Sequence, residues 1–117
     1  MSADNRVRVL VIDDHEIVRR GVVDVVDADP QLTVVAEAGT VLDAIRRAAA
    51  VRPDVAIVDL KLPDGTGIDV VRALRKDHPE IRCVVLTSFD DDQAVEAEIE
   101  VLLATIRTEG VAPQPAA

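Results

Sequence analysis

The chain has 117 residues, a formal net charge of −9 at pH 7, 49% hydrophobic residues and 1% aromatic residues. This length suits one domain, and its core must be built from Val, Ile, Leu and Ala. The acidic balance and the lone aromatic residue, Phe89, argue against direct nucleic-acid binding, which requires a basic surface.

Short apolar runs rich in β-branched residues alternate with amphipathic segments along the chain. The runs have strand length and are bounded by turn residues, whereas the segments between them repeat apolar residues at helical spacing. Strands joined by helices of crossover length predict an α/β fold with a parallel sheet. The predicted strands are Arg6–Ile12, Leu32–Ala38, Val55–Val58 and Ile81–Thr87, and the predicted helices begin at Glu16, Thr40 and Thr66 or Gly67.

Helical periodicity predicts which residues of each helix face the core. It places Ile17, Leu42 and Ile68 on the inner faces of the first, second and third helices. Asp13 or Asp14, which precede the first helix, are candidates to cap its amino terminus.

Polar side chains follow three of the predicted strands. Asp13 and Asp14 follow the first strand, Asp59 follows the third, and Thr87 ends the fourth. The carboxyl ends of parallel strands meet at one edge of a sheet, where ligands bind in open α/β folds. Carboxylates this close repel each other unless a cation neutralises them, and oxygen ligands suit Mg²⁺. A carboxylate beside Mg²⁺ can attack phosphorus and form an aspartyl phosphate. Helix capping alone is the competing explanation for each Asp taken separately.

Other titratable residues have simpler interpretations. His15 follows the acidic pair and could tune the site, but we expect it to be an exposed polar residue in the first helical turn. Cys83 lies in an apolar strand and is expected to be a small buried residue. A lone cysteine excludes an internal disulfide. No apolar run is long enough to span a membrane, and the amino terminus lacks the apolar core of a signal peptide. We therefore expect a cytoplasmic protein without membrane contact.

Three stretches of the sequence, IDDHEIVRRG, VDLKLPDGTG and VVLTSF, resemble a bacterial two-component response-regulator receiver domain. The resemblance runs from about Val7 to Val95 and is nearest to the DosR/DevR-like members of the NarL/LuxR group. It implies a flavodoxin-like (CheY-like) doubly wound sheet of strand order 2-1-3-4. It also implies that a sensor histidine kinase phosphorylates Asp59 and that the domain acts as a switch, commonly as a homodimer.

The resemblance further implies a role for each residue of the site. Asp14 would bind Mg²⁺ directly and Asp13 through water, while Asp59 and the backbone carbonyl of Lys61 complete the metal site. Thr87 would donate a hydrogen bond to a phosphate oxygen and carry the signal.

The carboxyl-terminal part departs from the family pattern. The fifth strand with its Lys is missing or replaced by one amphipathic helix, predicted at about Asp91–Thr108. We therefore expect a receiver domain over residues 1–109, a disordered Pro-rich tail over 110–117, and no DNA-binding output domain.

Two other functions compete with the phosphoacceptor. A receiver-like module that dimerises without switching would fit the missing Lys. A small Mg²⁺-dependent phosphatase would fit the strand-end acid, but such enzymes place a second acid two residues beyond the nucleophile, and position 61 is Lys. We therefore expect a signalling domain and not an enzyme.

Overall fold

The computed structural model describes residues 6–86. Thr87, the predicted last helix and the predicted tail lie outside this range. The elements, in chain order, are β1 (Val7–Ile12), α1 (Glu16–Asp27), β2 (Leu32–Ala38), α2 (Val41–Val51), β3 (Val55–Asp59), β4 (Lys61–Leu62), β5 (Gly65–Thr66), α3 (Gly67–Asp77) and β6 (Arg82–Leu86).

The central sheet has four parallel strands in the order β2-β1-β3-β6. This confirms the predicted order 2-1-3-4, because β6 is the fourth long strand of the sequence. The short strands β4 and β5 form a separate antiparallel hairpin that the prediction treated as a loop. Within residues 6–86, no helix is long and apolar enough to cross a membrane.

Two apolar clusters cover the two faces of the sheet. One contains Val22 and Val26 of α1, and the other contains residues of α2 and α3, including Ala44 and Leu74. All residues of β3 are buried, as expected for a strand covered on both faces. The burial extends to its last residue, Asp59, which is 4% exposed.

A bulge interrupts the pairing of β1 with β2. Val9 pairs with Val34, but the next residue, Leu10, pairs with Ala36, so Val35 is the extra residue of β2. The bulge changes which face the following side chains occupy: Val34 packs with the α1 cluster, whereas Ala36 packs with the cluster under α2 and α3.

Three predicted inward-facing residues are exposed instead. Ile17 is 88% exposed, Leu42 53% and Ile68 41%. Leu42 and Ile68 each stand two residues before a buried residue, Ala44 or Val70, and two residues correspond to about 200° around a helix. The prediction for these residues was wrong because a short helix with several apolar residues allows more than one choice of its inward-facing side.

Candidate metal centre

The loop after β1 is held by backbone contacts from a neighbouring strand. The Asp13 N–H donates to the Ala38 carbonyl at 2.9 Å, which continues the β1–β2 pairing past the end of the strand. Arg19 of α1 donates through Nη1 to the Asp13 carbonyl at 2.7 Å, and its Nε pairs with Glu37 at 3.0 Å. The loop that carries Asp13 and Asp14 is thereby held by both β2 and α1.

Neither acid of this loop caps α1, so the predicted capping role was wrong. His15 occupies the N-cap position and makes no side-chain cap hydrogen bond. The Asp13 carboxylate accepts the backbone N–H of His15 itself at 2.8 Å, two residues along the chain. Asp13 lies too early in the chain to reach the N–H groups of the first helical turn, and its carboxylate remains at the sheet edge.

Asp59 is positioned by the close packing of α3 against the end of β3. The Gly67 N–H donates to the Leu60 carbonyl at 2.8 Å, and Leu60 N–H donates to Leu86 of β6 at 3.1 Å. A Cβ at Gly67 would lie 2.5 Å from the Asp59 carbonyl oxygen, which no side chain tolerates. Gly67 is therefore required for α3 to begin directly beside the acid.

The hairpin beyond Asp59 is tied to α2. The Asp64 carboxylate accepts the backbone N–H groups of Val41 and Leu42 at 2.7 and 3.0 Å. These two hydrogen bonds hold the pKa of Asp64 below its ordinary value. The Thr66 hydroxyl and the Asp69 carboxylate form a capping box that starts α3.

Asp13, Asp14, His15 and Asp59 converge at the carboxyl edge of the sheet. Each offers one ligand atom, and these four atoms lie within 4.8 Å of one another. His15 Nδ1 stands 3.3 Å from Asp13 Oδ1, 3.1 Å from Asp14 Oδ1 and 3.9 Å from Asp59 Oδ2. The predicted meeting of the three acids is thus present in the fold.

Asp59 is a buried carboxylate within this group. Burial raises its pKa, and the neighbouring carboxylate of Asp13 raises it further, while the backbone N–H groups of Lys61 and Leu60 oppose the shift. Its Oδ2 atom is buried and, within residues 6–86, has no hydrogen-bond partner. A buried oxygen of this kind beside two further carboxylates fits a divalent cation.

His15 is exposed, as predicted, and it also belongs to the acidic cluster, which agrees with the alternative that it tunes the site. Its side chain is 58% exposed, but Nδ1 faces the acids. The carboxylate of Asp14, followed by the hydrogen bond to Asp13, raises the pKa of His15. In the sequence, His15 stands immediately after the acidic pair, but this position alone does not predict whether its ring points towards the acids.

The two remaining predicted site residues are not tested by this geometry. The Lys61 side chain is exposed in β4, two residues beyond Asp59, and its predicted role concerns the backbone carbonyl only. Thr87 lies immediately after the last described residue.

Comparisons with known proteins agree with this fold. Residues 9–105 match the family described as response regulator receiver domain. The chain is 53% identical over 89 residues to the DNA-binding transcriptional activator DevR/DosR of Mycobacterium tuberculosis, covering 76% of this chain and 41% of that protein. The signal receiver domain of the response regulator NarL from Mycobacterium tuberculosis superposes with a TM-score of 0.69 at 31% identity, over 82% of this chain and 77% of that chain.

The fold is also shared with a more distant structure. The response regulator domain of Thermotoga maritima CheB superposes with a TM-score of 0.79 at 24% identity, over 94% of this chain and 99% of that chain. The chain spans only 41% of the length of DevR/DosR and 44% of LiaR from Bacillus subtilis, so these likenesses concern one part of each protein. Because the match runs from β1 through the whole described sheet and its acidic edge, the chain belongs to the receiver-domain family of two-component response regulators.

Proposed function

We propose that Asp59 is the phosphoacceptor of this receiver domain and that a sensor histidine kinase is the donor. The observation that carries the proposal is the buried Oδ2 of Asp59, which lies in the acidic cluster and has no hydrogen-bond partner among residues 6–86. In the full-length relatives, phosphorylation would act as a conformational or dimerisation switch that controls transcription.

The proposed transfer is a displacement at phosphorus. A carboxylate oxygen of Asp59 forms a new O–P bond while the P–N bond of the kinase phosphohistidine breaks. The donor imidazole keeps the electron pair of the broken bond, and the product is an acyl phosphate on Asp59. The rest of the site has to orient this carboxylate and accommodate the added charge.

Asp13, Asp14, Asp59 and the Lys61 carbonyl would hold Mg²⁺. When bound, Mg²⁺ would supply the positive charge that offsets the repulsion between the carboxylates and the phosphoryl oxygens. Arg19 positions this set indirectly, since it donates to the Asp13 carbonyl and leaves the Asp13 carboxylate free to face the site. Thr87 is proposed to donate its hydroxyl to a phosphate oxygen.

Intact mass after incubation with a small-molecule phosphodonor tests the acceptor. We expect one phosphoryl adduct in the presence of Mg²⁺ and none with chelator. Asp59→Asn should lose the adduct, whereas Asp24→Asn, which removes an exposed carboxylate on α1, should keep it.

An adduct that forms at the same rate in Asp59→Asn would refute the assignment. Absence of an adduct in the wild type, with each phosphodonor and with Mg²⁺ present, would favour a receiver-like interaction module that dimerises without switching. Measurement of the molecular mass as a function of protein concentration would then test that module.

A further inference from the structure

We propose that His15 is a further protein ligand of this metal site, beside its three carboxylates, and that it adapts the site to divalent transition ions such as Co²⁺ or Zn²⁺. The inference rests on the proposed metal site but not on phosphoryl transfer to Asp59. It concerns which ions the site takes and predicts a nitrogen donor in a site otherwise made of oxygen.

The spacing of the ligand atoms fits a common metal ion. Ligands of a tetrahedral zinc site with bonds of about 2.0–2.1 Å lie about 3.4 Å apart. His15 Nδ1 lies 3.1 Å from an oxygen of Asp14 and 3.3 Å from an oxygen of Asp13. The distance to Asp59 Oδ2 is 3.9 Å and the four ligand atoms lie within 4.8 Å of one another, so the side chains must move closer together around an ion. Within residues 6–86, Asp59 Oδ2 has no hydrogen bond to break.

The backbone already places the imidazole at the site. His15 is the N-cap residue of α1, and the Asp13 carboxylate accepts its backbone N–H at 2.8 Å. Metal binding by Nδ1 would leave this backbone contact unchanged. The side chain is 58% exposed, so an ion can reach it from solvent without opening the core.

Imidazole changes the preference of the site among ions. Carboxylate and water ligands suit Mg²⁺, which keeps an octahedral shell of oxygen atoms, whereas imidazole suits zinc, nickel and cobalt. Three carboxylates and one imidazole form a four-coordinate set for such an ion. Removal of His15 should therefore affect transition ions much more than Mg²⁺.

The chain offers few competing nitrogen or sulfur ligands. Its two histidines are His15 and His78, and its one cysteine is Cys83. His78 follows α3 and faces Glu80 at 3.8 Å, outside the cluster. Burial raises the pKa of the Cys83 thiol, which disfavours the thiolate that metals bind. His78 is thus a matched control for His15.

Calorimetric titration with Co²⁺ and, separately, with Mg²⁺ tests the proposal. We expect His15→Ala to weaken Co²⁺ binding by about tenfold or more, as losses within a metal site commonly do. The same variant should change Mg²⁺ affinity by less than about threefold, and His78→Ala should change neither. His15→Asn keeps a good N-cap residue and should lose Co²⁺ affinity as His15→Ala does.

Nuclear magnetic resonance gives a direct second readout. Zn²⁺ should shift the imidazole nitrogen resonances of His15 in the wild type more than Mg²⁺ does, since Mg²⁺ acts on the ring only through the charge of the neighbouring carboxylates. Equal losses of Co²⁺ and Mg²⁺ affinity in the two His15 variants, or no loss of Co²⁺ affinity, would overturn the proposal while the metal site stands. A wild type that binds neither ion would overturn the proposed metal site itself.

Discussion

At the scale of single residues, the features of Asp59 that suit a metal site also lower the stability of the fold. Its carboxylate is buried, lies beside other carboxylates and, in the described part of the chain, has one oxygen without a hydrogen-bond partner. Asp59→Asn removes the charge with little change in shape. In the absence of metal, we expect the free energy of unfolding of the variant to exceed that of the wild type by about 1–3 kcal/mol at neutral pH, because the charge that burial and the neighbouring carboxylates disfavour is gone.

The pH dependence of this stabilisation has a definite sign. The pKa of Asp59 is raised in the folded protein, so the protonated form is favoured there. Its contribution to stability is complete below its ordinary pKa and is lost as the pH rises through the raised value. The advantage of Asp59→Asn should therefore shrink towards acid pH in urea unfolding with chelator present. An advantage that is independent of pH, or that grows in acid, would contradict this cause.

The residue scale also shows what the sequence could predict. The three acids were identified because each follows an apolar strand, and parallel strands bring such residues to one edge. The contribution of His15 could not be predicted, because its ring direction depends on the contacts of Asp13 and Asp14 after folding. The positioning role of Arg19 depends likewise on a carbonyl that only the folded loop presents.

At the scale of elements, the start of α3 depends on one glycine. Gly67→Ala places a Cβ 2.5 Å from the Asp59 carbonyl oxygen, and either α3 or β3 must move. We expect a loss of about 1–3 kcal/mol in the free energy of unfolding, the usual cost of overpacking. Gly21→Ala on α1 is the control: nothing lies within 4 Å of its Cβ, so it should stabilise by about 0.5–1 kcal/mol. Equal effects at the two glycines would show that close packing at Asp59 is not the cause.

The β4–β5 hairpin is attached to α2 through Asp64. Removing this carboxylate, in Asp64→Ala, leaves the N–H groups of Val41 and Leu42 without their partner, and we expect a lower melting temperature at neutral pH. The pKa of Asp64 is lowered in the fold, so its contribution is present above its ordinary pKa and is lost as the pH falls through the lowered value. If the melting temperatures of the wild type and Asp64→Ala still differ below that pH, the hydrogen bonds to the ionised carboxylate are not the cause of the difference.

The long elements were easier to predict than the short ones. Strands β1, β2, β3 and β6 each combine an apolar run with a turn residue, and their predicted order is confirmed. The hairpin strands have two residues each, too few for any periodicity. The predicted inner faces of the helices were wrong at Ile17, Leu42 and Ile68. Ala and Val lie on several sides of these helices, so the hydrophobic pattern does not single out one face.

At the scale of the whole molecule, metal binding should be linked to global stability. An ion that binds only the folded protein stabilises it by about 2.7 kcal/mol when its concentration is 100 times the dissociation constant. We expect Mg²⁺ to raise the melting temperature of the wild type, with a rise that follows the logarithm of the Mg²⁺ concentration above the dissociation constant. Asp13→Asn should weaken this rise and should melt higher than the wild type in chelator, because one repelling carboxylate is gone. Identical Mg²⁺ responses in both proteins would exclude Asp13 from the metal site.

The bulge at Val35 divides β2 into two halves that are out of phase. The first half contributes Leu32 and Val34 to one face of the sheet, and the second contributes Ala36 and Ala38 to the other. Deleting Val35 would slip the second half by one position against β1. The Ala38 carbonyl would then no longer lie opposite the Asp13 N–H that it accepts. An extra residue in an edge strand, far in sequence from Asp13 and Asp59, thus sets the register in which the metal-binding loop leaves the sheet.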